Sequence, residues 1–105
     1  MAELEPAPLE VEVQQPGETV LIKVAGELDG SNVQKLRTAV DEQLTGHPSR
    51  VSFDLAELSF MDTSGLALFI TVKRTVDDVR IVNPSPQVRS VIDRTGLSAV
   101  LVMEP

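Results

Sequence analysis

The hydrophobic spacing of this chain changes period several times, and that alternation of periods restricts the fold more than any one motif does. From Leu9 the apolar positions alternate, with Leu9, Val11 and Val13 facing one way and Glu10 and Glu12 the other. A period of two marks a half-buried strand. Gln15-Pro16-Gly17-Glu18 supplies a turn, and Val20, Ile22 and Val24 open a second alternating run, so the two segments are expected to pair as a hairpin. Gly26-Glu27-Leu28-Asp29-Gly30 closes that strand with a loop. The spacing then lengthens: Val33, Leu36, Val40 and Leu44 recur at helical intervals, with Ser31 as the expected N-cap and Gln34, Lys35, Asp41 and Glu42 on the wet face.

Gly46-His47-Pro48 stops this helix, and Val51, Phe53 and Leu55 alternate again as a third strand ending near Leu55. Asp62 or Thr63 is placed to cap a second helix from Leu66 to about Thr75, and Val79 to Val82 forms a fourth strand. After the turn Asn83-Pro84-Ser85-Pro86, a third helix carries Val88, Val91, Ile92 and Thr95 on its inner stripe and ends at Gly96. Ala99 to Met103 reads as a short last strand. A hairpin followed by alternating helices and strands implies one α/β domain, a mixed sheet with helices packed on it. Residues 1–8, with their two prolines, read as a flexible lead-in, and the domain is expected over residues 9–105.

Composition narrows the functions open to such a domain. Only 3% of the residues are aromatic and there is no cysteine, so the core is aliphatic and has no thiolate metal site or crosslink. Sixteen acidic residues against nine basic ones give a net charge of −7, the wrong sign for direct contact with nucleic-acid phosphates. Met1-Ala2-Glu3-Leu4-Glu5-Pro6 lacks the features of a signal peptide, and the longest apolar run, Leu66 to Ile70, is far short of the ~20 residues of a membrane helix. The expectation is a cytoplasmic protein that touches neither nucleic acid nor membrane.

Met61-Asp62-Thr63-Ser64-Gly65-Leu66 is the most informative stretch. A hydroxyl at this strand-to-helix junction is expected beside the free N–H groups of a helix N-terminus, where an attached phosphate is favoured. Gly65 is expected to leave the Ser64 hydroxyl unshielded. The same Asp-Thr-Ser run also suits plain helix capping, and the local chemistry taken alone favours that reading.

The wider pattern bears on the choice. Phe60-Met61-Asp62-Thr63-Ser64-Gly65-Leu66 resembles the signature around the phosphorylated serine of bacterial anti-sigma factor antagonists of the STAS-domain family. Gly26-Glu27-Leu28-Asp29 resembles a second motif of that family. Asn83-Pro84-Ser85-Pro86-Gln87-Val88-Arg89 with Thr95-Gly96-Leu97 resembles its C-terminal helix and flanks. The likeness runs from about Val11 to Met103. It implies a STAS fold and a partner-switching role without catalysis or cofactor. In that role an unphosphorylated antagonist binds an anti-sigma factor, which is commonly a serine kinase using ATP; phosphorylation of the serine ends binding, and a phosphatase restores it. The matching serine is Ser64, and Asp29, Asp62, Thr63, Ser64, Gly65 and Leu68 are the expected partner-binding residues. The chain departs from the family pattern after the second helix, where Lys73-Arg74-Thr75-Val76-Asp77-Asp78 runs almost directly into Val79 and about one helical turn is missing.

Other readings of the same residues are weaker. A STAS subunit of a stress-signalling complex or of a transporter ATPase would share the fold. A hydrolase using Ser64 lacks the Gly-x-Ser-x-Gly elbow, because Asp62 stands at the first glycine, and His47 is its sole candidate base. Glu27, Asp29 and Asp62 read as a solvated acidic loop more readily than as a cation site. The apolar run from Leu66 to Val72 is too wide for one buried stripe, which leaves Leu68 or Val72 for a partner to cover.

Overall fold

A computed structural model describes residues 8–15 and 17–104, so the expected lead-in lies outside the described residues apart from Pro8. Strand β1 (Glu10–Gln15) pairs antiparallel with β2 (Thr19–Leu28), as the hairpin pattern requires. Helix α1 (Val33–Leu44) leads to β3 (Arg50–Met61), α2 (Thr63–Thr75) to β4 (Asp78–Val82), and α3 (Pro86–Arg94) to a short last strand, β5 (Val102–Glu104). The described residues form a five-stranded sheet in sequential order, with every pairing after the first one parallel. The α/β expectation is met. Parallel neighbours need crossover connections, and the helices supply them.

Register explains where the core sits. Val20, Val51 and Val79 align across β2, β3 and β4, as do Ile22, Phe53 and Ile81, and all six are buried. Phe69 of α2 meets Phe53 with ring centroids 4.8 Å apart, so α2 covers this face. Several of the alternate residues carry charge. Arg50 on β3 and Arg80 on β4 both bond the Asp78 carboxylate, at 2.8 and 3.0 Å, and Arg80 reaches Glu104 on β5 at 2.8 Å.

Two local expectations are corrected. Strand β3 runs to Met61 rather than ending near Leu55, because it takes up an extra residue twice: Lys23 to Ala25 spans Asp54 to Glu57, and Gly26 to Glu27 spans Leu58 to Phe60. Each bulge breaks the period-two pattern and bends the strand. The buried positions accordingly shift to Leu58 and Met61. The N-cap of α1 is Asn32, not Ser31, and neither side chain caps the helix; that of Asn32 turns back onto the preceding loop.

Candidate functional site

β2 and β3 are parallel and end together, with Leu28 opposite Met61, so the segments that follow emerge side by side at the carboxyl edge of the sheet. The Asp62 amide donates to the Leu28 carbonyl at 3.2 Å and ties the two segments together. Polar groups of the loop after β2 fix its own shape. The Asn32 side chain accepts from the Asp29 amide at 2.9 Å and donates to the Glu27 carbonyl at 2.8 Å. The Asp29 carboxylate accepts from the Ser31 amide at 2.9 Å and from the Ser31 hydroxyl at 2.6 Å. That hydroxyl, and behind it the Ser31 amide, hold Asp29 below the ordinary carboxylate range.

Asp62 caps α2. Its backbone is extended, and its Oδ1 accepts the Ser64 amide at 2.8 Å while its carbonyl accepts the Gly65 amide at 3.1 Å. Thr63 is exposed and Ser64 half-exposed. The expectation of free N–H groups around Ser64 is therefore amended, since the amide of Ser64 is already satisfied by a carboxylate. Plain capping and an accessible serine are compatible here, because Asp62 does the capping and leaves the Ser64 hydroxyl to the surface.

The two glycines of the site differ in what surrounds them. Gly65 is buried, and a Cβ there would fall 2.7 Å from Met61 Cγ and 2.8 Å from Leu28 Cδ2. It seats the first turn of α2 on the ends of β2 and β3 and does not unshield the hydroxyl as expected. Gly30 lies across from the serine: a Cβ on it would stand 3.3 Å from Ser64 Oγ. Sequence reasoning treated Gly30 as a loop closure. The available signal was its place two residues past Leu28, directly after the second family-like motif.

Leu68 and Val72 do not meet the expectation of an uncovered apolar surface. They are 2% and 1% exposed, and Leu66 and Phe69 are buried with them. Packing of α2 against α1 as well as β3 and β4 absorbs a face wider than one stripe. Apolar exposure lies instead on β3, where Phe60 is 48% exposed after the second bulge, and near the C-terminus at Val100 and Val102. Phe60 borders a groove of about 490 Å³ that Met61, Pro86 and Val91 also line. Ser85 precedes Pro86 and caps α3, its hydroxyl donating to the Leu58 carbonyl at 2.9 Å and accepting the Val88 amide at 3.3 Å.

His47 is exposed in a turn with a left-handed φ of 52°. Among the described residues no cluster of three or more His, Asp and Glu stands ready for a metal, and no helix is long and apolar enough to cross a membrane. The sequence pattern of the STAS domain matches residues 10–105. An anti-sigma F factor antagonist of Lysinibacillus sphaericus is 35% identical over 76% of this chain and 73% of its own length. The structure resembles SpoIIAA, an anti-sigma factor antagonist, in its unphosphorylated form at 29% identity, with a TM-score of 0.76 over 91% of this chain and 87% of that one. It also resembles Bacillus SpoIIAA in the phosphorylated form, at 29% identity with a TM-score of 0.67 over 91% and 90%. In fold alone it is similar to an anti-sigma factor antagonist from Mycobacterium paratuberculosis, 21% identical, with a TM-score of 0.88 over 96% of this chain and 89% of that one.

Proposed function

The chain belongs to the STAS-domain family and, within it, to the anti-sigma factor antagonists, and we propose that Ser64 is the phosphoacceptor on which its switching turns. An antagonist of this family is a regulatory protein rather than an enzyme, and it acts by binding an anti-sigma factor. The partner proposed here is an anti-sigma factor that is itself a serine kinase. Unphosphorylated, the chain occupies that partner and the sigma factor is released.

In the reverse step the Ser64 oxygen attacks the γ-phosphorus of ATP held by the kinase. The new Oγ–P bond forms as the bond to the bridging oxygen breaks, ADP leaves, and the hydroxyl proton passes to a base. The product carries a charge of roughly −1.5 to −2 where a neutral hydroxyl stood. An interface shaped for the hydroxyl must then desolvate a dianion, and misplaced charge across an interface costs several kcal/mol. A phosphatase restores the hydroxyl by hydrolysing the Oγ–P bond, releasing inorganic phosphate.

The observation that carries this reading is the half-exposed Ser64 hydroxyl at the first turn of α2, one residue before the glycine that seats the helix. A relative of the same fold solved in both phosphorylation states supports it. Asp29, Asp62 and Thr63 share the surface around Ser64 and complete the proposed docking face. Incubation with the anti-sigma factor and ATP, followed by phosphopeptide mapping, is the test. One phosphate at Ser64, absent from Ser64→Ala, is expected; equal labelling of Ser64→Ala overturns the assignment.

A further inference from the structure

We infer that Gly30 sets access to the Ser64 hydroxyl, so that the size of the side chain at position 30 determines how readily the serine is phosphorylated. The inference rests on the reading of Ser64 as phosphoacceptor and adds a second residue, from a different loop, to it.

Glycine is usually retained where the backbone needs a positive φ or a close approach. The first reason is absent here. The positive-φ glycines are Gly17, Gly26 and Gly96, so an L side chain is conformationally admissible at position 30. Gly30 is exposed, and apart from its two chain neighbours the only atom among the described residues within 4 Å of a Cβ built on it is Ser64 Oγ, at 3.3 Å. What a side chain there would meet is the acceptor atom itself.

The loop has little freedom to withdraw. Asp62 N–H holds Leu28 at the loop's start, and the Asp29 carbonyl accepts the amides of Asn32 and Val33 at 3.2 and 2.9 Å. The Asn32 side chain clamps the same turn from within. On its other flank Ser64 is followed by Gly65, whose Cα is closed in by Met61 and Leu28, and its amide is taken by Asp62. On the side toward Gly30 no side chain stands at position 30. A phosphoryl group brings three oxygens to the position of one hydroxyl hydrogen, and in-line attack needs further clear space beyond the acceptor. An alanine methyl at 3.3 Å can be relieved by a small shift. The two branches of valine have no comparable relief, because χ1 is restricted and the loop is tied at both ends.

The test is single-turnover phosphorylation by the anti-sigma factor and Mg-ATP, measured on wild type, Gly30→Ala and Gly30→Val, with the modified residue mapped in each. The expected series is a modest loss for Gly30→Ala and a loss of about tenfold or more for Gly30→Val, since a misplacement of about 1 Å can cost as much as roughly a hundredfold. The loss should appear in the rate at saturating kinase more than in the half-saturating concentration. A merely structural role would instead lower the thermal midpoint of the unphosphorylated protein, which is expected to stay at the wild-type value in both variants. Wild-type phosphorylation rates in the two variants overturn the role of Gly30 and leave Ser64 as acceptor. If Gly30→Val does not fold, an unslowed Gly30→Ala overturns it. A wild-type chain that is not labelled at Ser64 removes the underlying reading, and this inference with it.

Discussion

The Asp62 carboxylate lies on the Ser64 amide, 2.8 Å from Oδ1 to nitrogen, so the N-terminus of α2 already holds an anion before any phosphate arrives. A helix N-terminus is locally favourable to negative charge, by about 0.3–1 kcal/mol at an exposed position. Asp62 uses that favour first. A phosphoryl group on Ser64 has to project away from the amide that Asp62 occupies, and into the space a partner would fill.

This arrangement separates charge from hydrogen bonding at position 62. Asp62→Ala removes the cap and is expected to cost about 1 kcal/mol of stability. Asp62→Asn keeps an acceptor oxygen on the same amide and should stay close to wild type. Urea unfolding of the unphosphorylated proteins measures both, and an Asn variant as weak as the Ala variant would show that the charge, not the bond, holds the turn.

Gly65 is expected to matter for stability rather than for access. Its missing side chain leaves room for Met61 and Leu28, which are 2% and 0% exposed and packed on all sides. Overfilling such a contact costs about 1–3 kcal/mol. Gly65→Ala should therefore lower the urea midpoint by a corresponding amount, and an unchanged midpoint would mean that the first turn of α2 has slack.

Asp29 should behave in the opposite way. Among the described residues its carboxylate bonds only within its own loop, to Ser31, and the turn keeps its Asn32 clamp when that carboxylate is lost. Asp29→Ala is expected to leave stability within about 1 kcal/mol while weakening partner binding or phosphorylation. Unfolding of this variant would make Asp29 a structural residue and remove it from the docking face.

Phosphorylation itself should break binding without melting α2. A cost of ~3–4 kcal/mol at the interface corresponds to a fall in affinity of roughly two to three orders of magnitude. Calorimetry against the anti-sigma factor, on the phosphorylated and unphosphorylated forms, reads the affinity directly. Circular dichroism of the two forms should superimpose. A lost helix signal, or equal affinities, contradicts a local exclusion mechanism.

The sheet should respond to acid through Asp78. The Arg80 side chain, and then that of Arg50, bond its carboxylate and hold it below the ordinary carboxylate range. Its folded-state pKa lies beneath the unfolded one, so the contribution is present at neutral pH and fades as the pH falls below about 4 and through the folded value. Asp78→Asn should flatten that part of the stability profile relative to wild type. An identical acid limb in both proteins would show that the Asp78 bonds do not contribute to it.

The local sequence determined the strands and helices wherever one period ran uninterrupted. Leu9 to Val13, Val20 to Val24 and Val33 to Leu44 lie in elements of the type their spacing implies, because a regular element exposes one face and buries the other. The capping pattern placed Asp62, Ser64 and Gly65 at the start of the second helix, which is where they are. Tertiary structure decided the rest. The second half of β3 was hidden because its bulges abolish period two, and their register depends on β2, a strand about thirty residues away in the chain. Burial of Leu68 and Val72 depends on a second helix packing beside α2, which the pattern of α2 alone does not record. The division of labour between the glycines has the same origin. Gly65 and Gly30 are identical in sequence, and only the meeting of two segments at the carboxyl ends of the parallel pair β2 and β3 sets the first against Met61 and the second against the hydroxyl of Ser64.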